Sequence, residues 1–222
     1  ERVPDLTIPE RWDMRRKPWR GSATWCYLRD ERDIPEAILR SAITRDILRE
    51  GPRGSMWAAH RDRAGAVTGW EERGPDWRGF ATGGAKVLFR FGPAGGPRLC
   101  VAEAAIDAMS LAALEDQRPD TRYLSTGGGW SPASSEALLD LAVRADALLV
   151  AATDNNAQGE SFAERLEALA ADAGCGFLRL RPELEDWNED LKAKRSNMDG
   201  REEERDGCRM PAGRLKGEAP PG

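Results

Sequence analysis

The sequence predicts an α/β protein in which a parallel sheet, with helices on both faces, follows a small α+β unit. From Leu99 onwards, short apolar runs alternate with segments of helical length, which is typical of parallel strands joined by helical crossovers. Before Leu99, one amphipathic helix precedes several strand-like runs. The chain has 222 residues, of which 40% are apolar and 32% charged, so it is long enough for one large domain or two small ones.

The first unit begins with a helix and continues with a hairpin. In residues 34–52 the apolar side chains fall on one helical face, Pro35 stands in the first turn, and Gly51 with Pro52 ends the helix. The runs 55–60 and 66–73 predict two strands around a turn that Gly65 closes. Residues 78–84 and 86–91 predict further strands.

The second unit repeats strand and helix. Strands are predicted at 99–102, 121–125, 147–153 and 176–181, and helices at 104–116, 133–144, 159–173 and from about Trp187. Ligands of such sheets bind beyond the carboxyl ends of the strands. We therefore expect the functional residues to follow the strands directly.

Composition divides the chain into four segments. We predict a basic N-terminal arm (1–23), an α+β subdomain (24–97), a parallel-sheet domain (98–194) and a disordered tail (195–222), which has almost no apolar periodicity. The arm carries basic residues between Trp12 and Trp19, and either contacts a phosphate backbone or pins its tryptophans to the domain. Because the chain begins at Glu1 rather than at a methionine, we expect it to be part of a longer protein.

Histidine and cysteine usage excludes several classes of site. The chain has one histidine, His60, and four cysteines with no CxxC pair, which excludes zinc fingers, zinc ribbons and HExxH metalloproteases within it. The scattered cysteines indicate a reduced, cytoplasmic protein without disulfides. The longest apolar run, 147–152, is too short to cross a membrane. Catalysis is expected to use carboxylates, hydroxyls and a hard metal ion.

The two halves of the chain have opposite charge. Residues 1–98 contain 19 basic and 14 acidic residues, a net charge of +5, and residues 99–222 contain 14 and 24, a net charge of −10. This distribution fits a surface for polyanions beside a pocket for cations. The alternative is a chance distribution of solvated charges.

Carboxylates follow the predicted strands. Glu103 comes directly after the first strand of the second unit, with Asp107 one helical turn later. Asp154 follows the third strand, and Asp186 with Asn188 follows the fourth. Carboxylates gathered in one cleft repel each other and are tolerated best around a divalent cation. The alternative is that each acidic residue caps the next helix.

A run of three glycines, Gly127, Gly128 and Gly129, ends the second strand of this unit. Glycines let the backbone approach a ligand and turn its amides toward an anion such as a phosphate. The alternative is a tight turn before the helix at Pro132.

These motifs resemble the Toprim domain of primases, topoisomerases and related nucleases. VAEAAIDAMSLAAL supplies Glu103 and Asp107, and VAATDNNAQGESFAERL supplies Asp154 and Asn156. EDWNEDL, with Asp186, occupies the place of the third acidic motif of bacterial primases. Residues 55–91 are similar to the segment that precedes the Toprim domain in those primases, so the resemblance covers residues 24–194. It implies a Toprim-like, Rossmann-like sheet.

The resemblance also implies functional residues. Glu103 would act as general acid/base or hold a metal. The ligands of Mg²⁺ or Mn²⁺ would be Glu103, Asp107, Asp154, Asn156, Asp186 and Asn188, and single-stranded DNA would be held by Arg61, Arg73, Arg78, Lys86 and Arg90. Trp57, Trp70 and Trp77 offer stacking faces, or belong to the core.

Three residues depart from the family pattern. Asn156 and Asn188 replace carboxylates, which lowers the negative charge of the site, and Ala104 replaces the usual glycine. The primary expectation is a primase-like protein of plasmid or mobile-element replication or transfer, with single-stranded DNA and nucleotides as partners and no membrane association. A helicase or relaxase would be contacted through regions outside this chain. The alternatives are a Toprim nuclease or nickase, and a nucleic-acid-binding module with a degenerate metal site.

Overall fold

The computed structural model describes residues 6–207, with side chains to residue 197. Its strands are β1 (Leu48–Glu50), β2 (Met56–Arg61), β3 (Val67–Arg73), β4 (Arg78–Phe80), β5 (Leu88–Phe91), β6 (Arg98–Ala102), β7 (Thr121–Ser125), β8 (Leu148–Ala151) and β9 (Gly176–Arg179). Its α-helices are α1 (Ile8–Asp13), α2 (Ala23–Cys26), α3 (Glu36–Thr44), α4 (Ala105–Leu114), α5 (Pro132–Ala142), α6 (Ala157–Ala173) and α7 (Trp187–Gly207). A π-helical turn at Tyr27–Glu31 follows α2, and a 3-10 turn at Pro52–Gly54 follows β1.

One nine-stranded sheet runs through both predicted units. Its order is β4-β3-β2-β5-β7-β6-β8-β9, with β1 paired to β2. Strands β6, β7, β8 and β9 are parallel, which confirms the predicted parallel sheet. The hairpin strands are antiparallel, and β5 joins them to the parallel part by pairing antiparallel with β7, with Phe89 opposite Ser125. The first unit therefore continues the sheet instead of forming a separate one.

Helices cover both faces of the sheet, as predicted. Along β6, Cys100 and Ala102 point to a core that includes residues of α3, α4 and α7, while Leu99 and Val101 point to a second core with α5 and α6. This alternation is the two-residue period of a strand buried on both sides. Because β6 lies between β7 and β8, its carboxyl end, and with it Glu103, is in the interior of the sheet.

The predicted elements match the observed ones with one clear correction. The helix predicted for 34–52 ends at Thr44, and Leu48 instead lies in β1, opposite Ala58 of β2. Asp46 has a φ of +60°, in the left-handed region that breaks a helix. Ile47 and Leu48 continue the apolar period of the helix, but Leu48 buries its side chain in β1 and Ile47 is buried directly before that strand. Tertiary pairing overrides helical periodicity here.

The N-terminal arm packs against the hairpin. Trp12 of α1 is 1% exposed and its ring centroid lies 6.2 Å from that of Trp70 in β3. The guanidinium groups of Arg11 and Arg15 lie over the rings of Trp70 and Trp57, at 4.9 and 4.8 Å from the centroids. Of the two alternatives for the arm, these contacts favour attachment to the domain for Trp12, whereas Trp19 is 53% exposed. The first five residues lie outside the described part.

The C-terminal helix extends into the segment predicted to be disordered. Helix α7 begins at Trp187, as expected, and continues to Gly207, so it includes residues 195–207 of the segment predicted to be disordered. The rest of the predicted tail, residues 208–222, lies outside the described residues. Between residues 6 and 207, no helix has both the length and the apolar character needed to span a bilayer.

Candidate active site

A cavity of about 550 Å³ opens at the carboxyl ends of the parallel strands. It is lined by residues of both halves of the chain, because β5 brings the hairpin next to β7. The sequence-predicted residues that line it are Glu103, Asp107, Asp154, Asp186, Asn188, Arg73, Arg78, Lys86, Gly127 and Gly128. Acidic groups from the parallel sheet and basic groups from the hairpin thus share one opening.

Four residues singled out in the sequence are not part of this lining. Asn156 is the N-cap of α6, where its Oδ1 accepts a hydrogen bond from the Gly159 amide at 2.9 Å. Arg61 donates to the Asp46 carbonyl at 2.8 Å, and Arg90 donates to the Asp62 carbonyl at 3.1 Å. Gly129 lies beside Lys86 but outside the lining. The contacts of Asn156, Arg61 and Arg90 give them local structural roles.

Glu103 stands at the end of β6 and is 6% exposed. Its Oε2 accepts a hydrogen bond from Gln158 Nε2 at 3.1 Å, while its buried Oε1 has no partner among the described residues. Burial raises the pKa of Glu103, and the hydrogen bond from Gln158 opposes that shift. The N-cap of α4 is Ala104, so Glu103 does not cap that helix.

Asp107 lies one turn further along, in the first turn of α4, and is 7% exposed. Burial, followed by the nearby charges of Asp186 and Asp154, raises its pKa well above the ordinary value. Arg73 opposes this shift. The pKa of Asp107 therefore depends both on the acidic residues of the parallel half and on Arg73 of β3.

The loop after β8 holds Asp154 in place through its backbone. Arg179 donates from Nη1 to the carbonyls of Ala151 and Thr153, both at 3.0 Å, and from Nη2 to the Asp154 carbonyl at 3.0 Å. Glu160 pairs with the same guanidinium at 2.7 Å. Since these contacts use the backbone of the loop, the Asp154 carboxyl is left to face the cavity, where its buried Oδ1 has no partner among the described residues.

Asp186 and Asn188 follow β9, the fourth parallel strand, and lie at the start of α7. Asp186 Oδ1 accepts a hydrogen bond from the Glu189 amide at 2.8 Å, so the capping alternative holds for this residue. Asn188 Nδ2 donates to the Arg32 carbonyl at 2.7 Å and contacts Ser110 Oγ at 3.0 Å. These contacts assign the amide orientation, and Asn188 Oδ1 is buried without a partner among the described residues.

The donor set suits a hard cation. Three buried oxygen atoms, on Glu103, Asp154 and Asn188, have no partner within the described part of the chain, and the carboxyl groups repel each other in a partly buried cavity. Over the described residues, however, no three histidine, cysteine, aspartate or glutamate side chains form a ready metal cage. The residues therefore fit Mg²⁺ in the manner of sites that use one or two carboxylates and complete the coordination with water and substrate phosphates.

The glycine run differs from its predicted role. Gly127 and Gly128 have φ values of +73° and +67°, which favour glycine. The Gly127 amide donates to Ser125 Oγ at 3.0 Å and the Gly128 amide donates to the Glu103 carbonyl at 2.7 Å. Because both amides are engaged internally, anion binding here depends on the basic side chains. One of them, Lys86, donates to the Gly127 carbonyl at 2.9 Å.

Sequence reasoning missed Glu71, whose carboxylate lines the cavity from β3 and is 2% exposed. Burial alone would raise its pKa, but hydrogen bonds from His60, Ser125 and the Ala105 amide lower the pKa below the ordinary value. The two-residue period of a strand places Glu71 on the same face of β3 as Gly69 and Arg73, and this period could have indicated that Glu71 shares the orientation of Arg73. Arg179 carried no comparable signal, since its role appears only through its tertiary contacts.

The raised pKa of Asp154 predicts a pH-dependent stability. Burial first, then Glu103 and Asp186, raise this pKa from 3.8 to about 7. The folded state therefore binds the proton more tightly than the unfolded state, and stability falls as the pH rises from about 4 to about 7. After a discount for solvent screening of this partly exposed group, we expect a loss of about 2 kcal/mol.

Urea unfolding in EDTA at pH 4, 6 and 8 measures this linkage. Asp154→Asn should match the wild type at pH 4 and be more stable at pH 8, while the exposed control Asp172→Asn should follow the wild type throughout. If the wild-type and Asp154→Asn proteins kept the same difference in stability at every pH, the linkage would be refuted.

Comparison with known families supports the Toprim interpretation. Residues 100–191 match a family model described as Toprim-like, and residues 26–97 match one described as a protein of unknown function, DUF3991. No curated protein matches the chain.

Three solved structures share the fold. The Aquifex aeolicus primase fragment with zinc-binding and RNA polymerase domains has a TM-score of 0.57 and 13% identity, over 86% of this chain and 57% of that one. The DnaG primase catalytic domain bound to ssDNA has a TM-score of 0.53 and 14% identity, over 89% and 77%. The RNA polymerase domain of Mycobacterium tuberculosis primase DnaG has a TM-score of 0.50 and 16% identity, over 84% and 76%. The chain thus spans less than two thirds of the Aquifex fragment, and identities this low show the fold alone.

Proposed function

We propose, on the premise that residues 100–191 form a Toprim-like domain within a primase-type fold, that this chain is a primase-like protein. It binds single-stranded DNA and catalyses nucleotidyl transfer that depends on Mg²⁺ or Mn²⁺. The observation that carries the proposal is the shared cavity, in which Glu103 and Asp154 from the parallel sheet face Arg73 from the hairpin. A cation pocket beside a surface for phosphates is what this reaction needs.

The basic side chains of the first unit bind the phosphates. Arg73, Arg78 and Lys86 line the cavity, and Lys86 is kept there by the Gly127 carbonyl. Trp77, next to Arg78, is 62% exposed and offers a stacking face for a base, whereas Trp57 and Trp70 are buried in the core. A neighbour of the same fold is described as bound to ssDNA, which supports this choice of polymer.

Glu103 acts as general base toward the attacking hydroxyl. Its free Oε1 can accept a proton, and burial raises the pKa of this carboxyl above its ordinary value, which makes Glu103 a stronger base than an exposed glutamate. Gln158 orients the group through Oε2. One or two of the carboxylates of Asp107, Asp154 and Asp186, together with Asn188, would hold Mg²⁺ or Mn²⁺, which when bound would neutralise the charge that develops on the transferred phosphate.

The cellular setting follows from the same interpretation. Because Cys26, Cys100 and Cys175 are free thiols, we assign the protein to the cytoplasm. Its role would be replication or transfer of a plasmid or other mobile element. A helicase or relaxase would be contacted through regions outside this chain.

Extension of labelled nucleotides on a single-stranded template tests the proposal. We expect products with Mg²⁺ or Mn²⁺ that disappear with EDTA or without template. Nicking of supercoiled DNA without nucleotides would instead select a Toprim nuclease. If neither synthesis nor nicking occurs under either metal, the enzymatic proposal is wrong.

A nucleic-acid-binding module without turnover is the second candidate. The lack of three grouped metal-ligating side chains among the described residues favours it. Salt-dependent binding of single-stranded DNA that weakens in Arg73→Ala, together with no binding of Mn²⁺ by calorimetry, would select this function.

A further inference from the structure

We propose that Glu71, which lies in the segment matched to a family of unknown function, is a positioning residue for Glu103. It would act as the N-terminal cap of α4 from a neighbouring strand and so hold the end of β6 in its working position. The test of this inference by enzyme activity rests on the proposed function. A second test, by amide hydrogen exchange, does not.

The Glu71 carboxylate is engaged by three donors. Its Oε1 lies 3.0 Å from His60 Nε2 and 2.5 Å from Ser125 Oγ, and its Oε2 accepts a hydrogen bond from the Ala105 amide at 2.8 Å. A carboxylate only accepts hydrogen bonds, so His60 Nε2 carries its proton toward Glu71. Oε1 thus serves two donors and Oε2 serves one, so both oxygens of Glu71 are bound to protein groups although the residue lines the cavity.

Helix α4 needs a cap that its own sequence does not supply. The first amides of a helix have no partner within it, and the N-cap of α4, Ala104, has no side chain that could accept from them. Glu71 Oε2 accepts from the first of these amides, that of Ala105. Ala105 is two residues from Glu103, so this bond fixes the direction in which the chain leaves β6.

The same carboxylate also fixes the end of β7. Ser125 Oγ donates to Glu71 and accepts from the Gly127 amide, while the Gly128 amide donates to the Glu103 carbonyl. A chain of hydrogen bonds therefore runs from the glycine run through Ser125 to Glu71. The strand ends that carry Glu103 and Gly127 are both tied to this one side chain.

The arrangement is not a nucleophilic triad. Ser125 donates to Glu71 rather than to His60, and both Ser125 and His60 are completely buried. In a Ser-His-Asp site the histidine lies between the other two residues. Positioning is therefore the role that this geometry supports.

Glu71→Gln tests the proposal, with Glu72→Gln as matched control. Glu72 is the next residue of β3, lies outside the cavity lining and accepts from Ser55 Oγ at 2.8 Å. We expect the kcat of Glu71→Gln to fall about 10–100-fold, with the nucleotide KM changed less than about twofold. Glu72→Gln should keep the wild-type kcat. A Glu71→Gln enzyme with unchanged kcat, or one whose KM alone rises, would overturn the proposal.

Amide hydrogen exchange supplies the readout that needs no activity. The Ala105 amide should exchange at least about 10-fold faster in Glu71→Gln than in the wild type or in Glu72→Gln, because glutamine offers one uncharged acceptor oxygen to the three donors that the carboxylate serves, namely His60, Ser125 and the Ala105 amide. Wild-type exchange at Ala105 in Glu71→Gln would refute the cap. Absence of transfer activity in the wild type with faster exchange in the variant would count against the proposed function alone.

His60 provides a second pair of variants if Glu71→Gln fails to fold. His60→Leu removes one donor to Glu71, whereas His60→Gln keeps an amide donor near the position of Nε2. We expect His60→Leu to raise the exchange rate of the Ala105 amide and His60→Gln to restore it. Equal exchange in the two variants and the wild type would contradict the network.

Discussion

Replacing Glu103 with glutamine is expected to lower the rate of nucleotidyl transfer by about 10²–10⁴-fold. Glutamine keeps the size of the side chain and can still contact Gln158, but it cannot accept a proton from the attacking hydroxyl. The stability of the metal-free protein should not fall, because the substitution removes a buried carboxylate that burial disfavours. The effect therefore belongs to the reaction and not to folding.

Primer extension and urea unfolding, measured on the same preparations, separate these effects. Glu167→Gln is the matched control, since Glu167 lies exposed on α6 and outside the cavity. It should extend primers at the wild-type rate. Wild-type activity in Glu103→Gln would remove Glu103 from the reaction and, with it, the main argument for general base catalysis at this site.

The parallel half of the fold could be predicted because its signals are local. Short apolar runs mark β6 and β8, and Glu103 and Asp154 follow these runs directly. Parallel strands bring their carboxyl ends to one edge, so the sequence was enough to gather these carboxylates in one cavity. The extent of α3 was not predictable in the same way, since Ile47 and Leu48 fit a helix and a strand equally well until β2 is present to pair with β1.

The contribution of the hairpin to the site depends on non-local pairing. Only the pairing of β5 with β7, in which Phe89 lies opposite Ser125, brings β3 and its Glu71 over the start of α4. No local pattern encodes that register. The same pairing explains why Arg73 faces the cavity, while Arg61 and Arg90, equally basic in the sequence, make their contacts with the backbone of the hairpin.

The two halves are therefore mutually dependent at the site. The parallel half supplies the groups expected to hold a metal and to accept a proton. The first unit supplies the basic side chains expected to hold phosphates. Two hydrogen bonds also join the two halves: the Ala105 amide donates to Glu71, and Lys86 donates to the Gly127 carbonyl. We expect from this that neither half alone would present a complete cavity.

Gly159→Ala is expected to destabilise the protein by about 3 kcal/mol and to abolish activity. A Cβ at this position would lie 2.0 Å from the Asp154 carbonyl oxygen and 2.7 Å from its carbonyl carbon, a clash with backbone that cannot rotate away. The loop that carries Asp154 would have to move, although it is held by Arg179 at 3.0 Å and by the bond from Thr153 Oγ1 to the Gly159 carbonyl at 2.7 Å. Both stability and the position of the Asp154 carboxyl depend on this close approach.

Gly95→Ala is the matched control for this substitution. A Cβ at Gly95 would meet no atom within 4 Å, so its stability should stay within about 0.5 kcal/mol of the wild type. Urea unfolding and calorimetric titration with Mn²⁺ measure the two consequences separately. For Gly159→Ala we expect a lower unfolding midpoint and weaker Mn²⁺ binding, because the Asp154 loop is displaced. If Gly159→Ala were as stable as Gly95→Ala and bound Mn²⁺ with unchanged affinity, the prediction would be wrong. The Asp154 loop would then tolerate the methyl group, and the packing of α6 against that loop would not position Asp154.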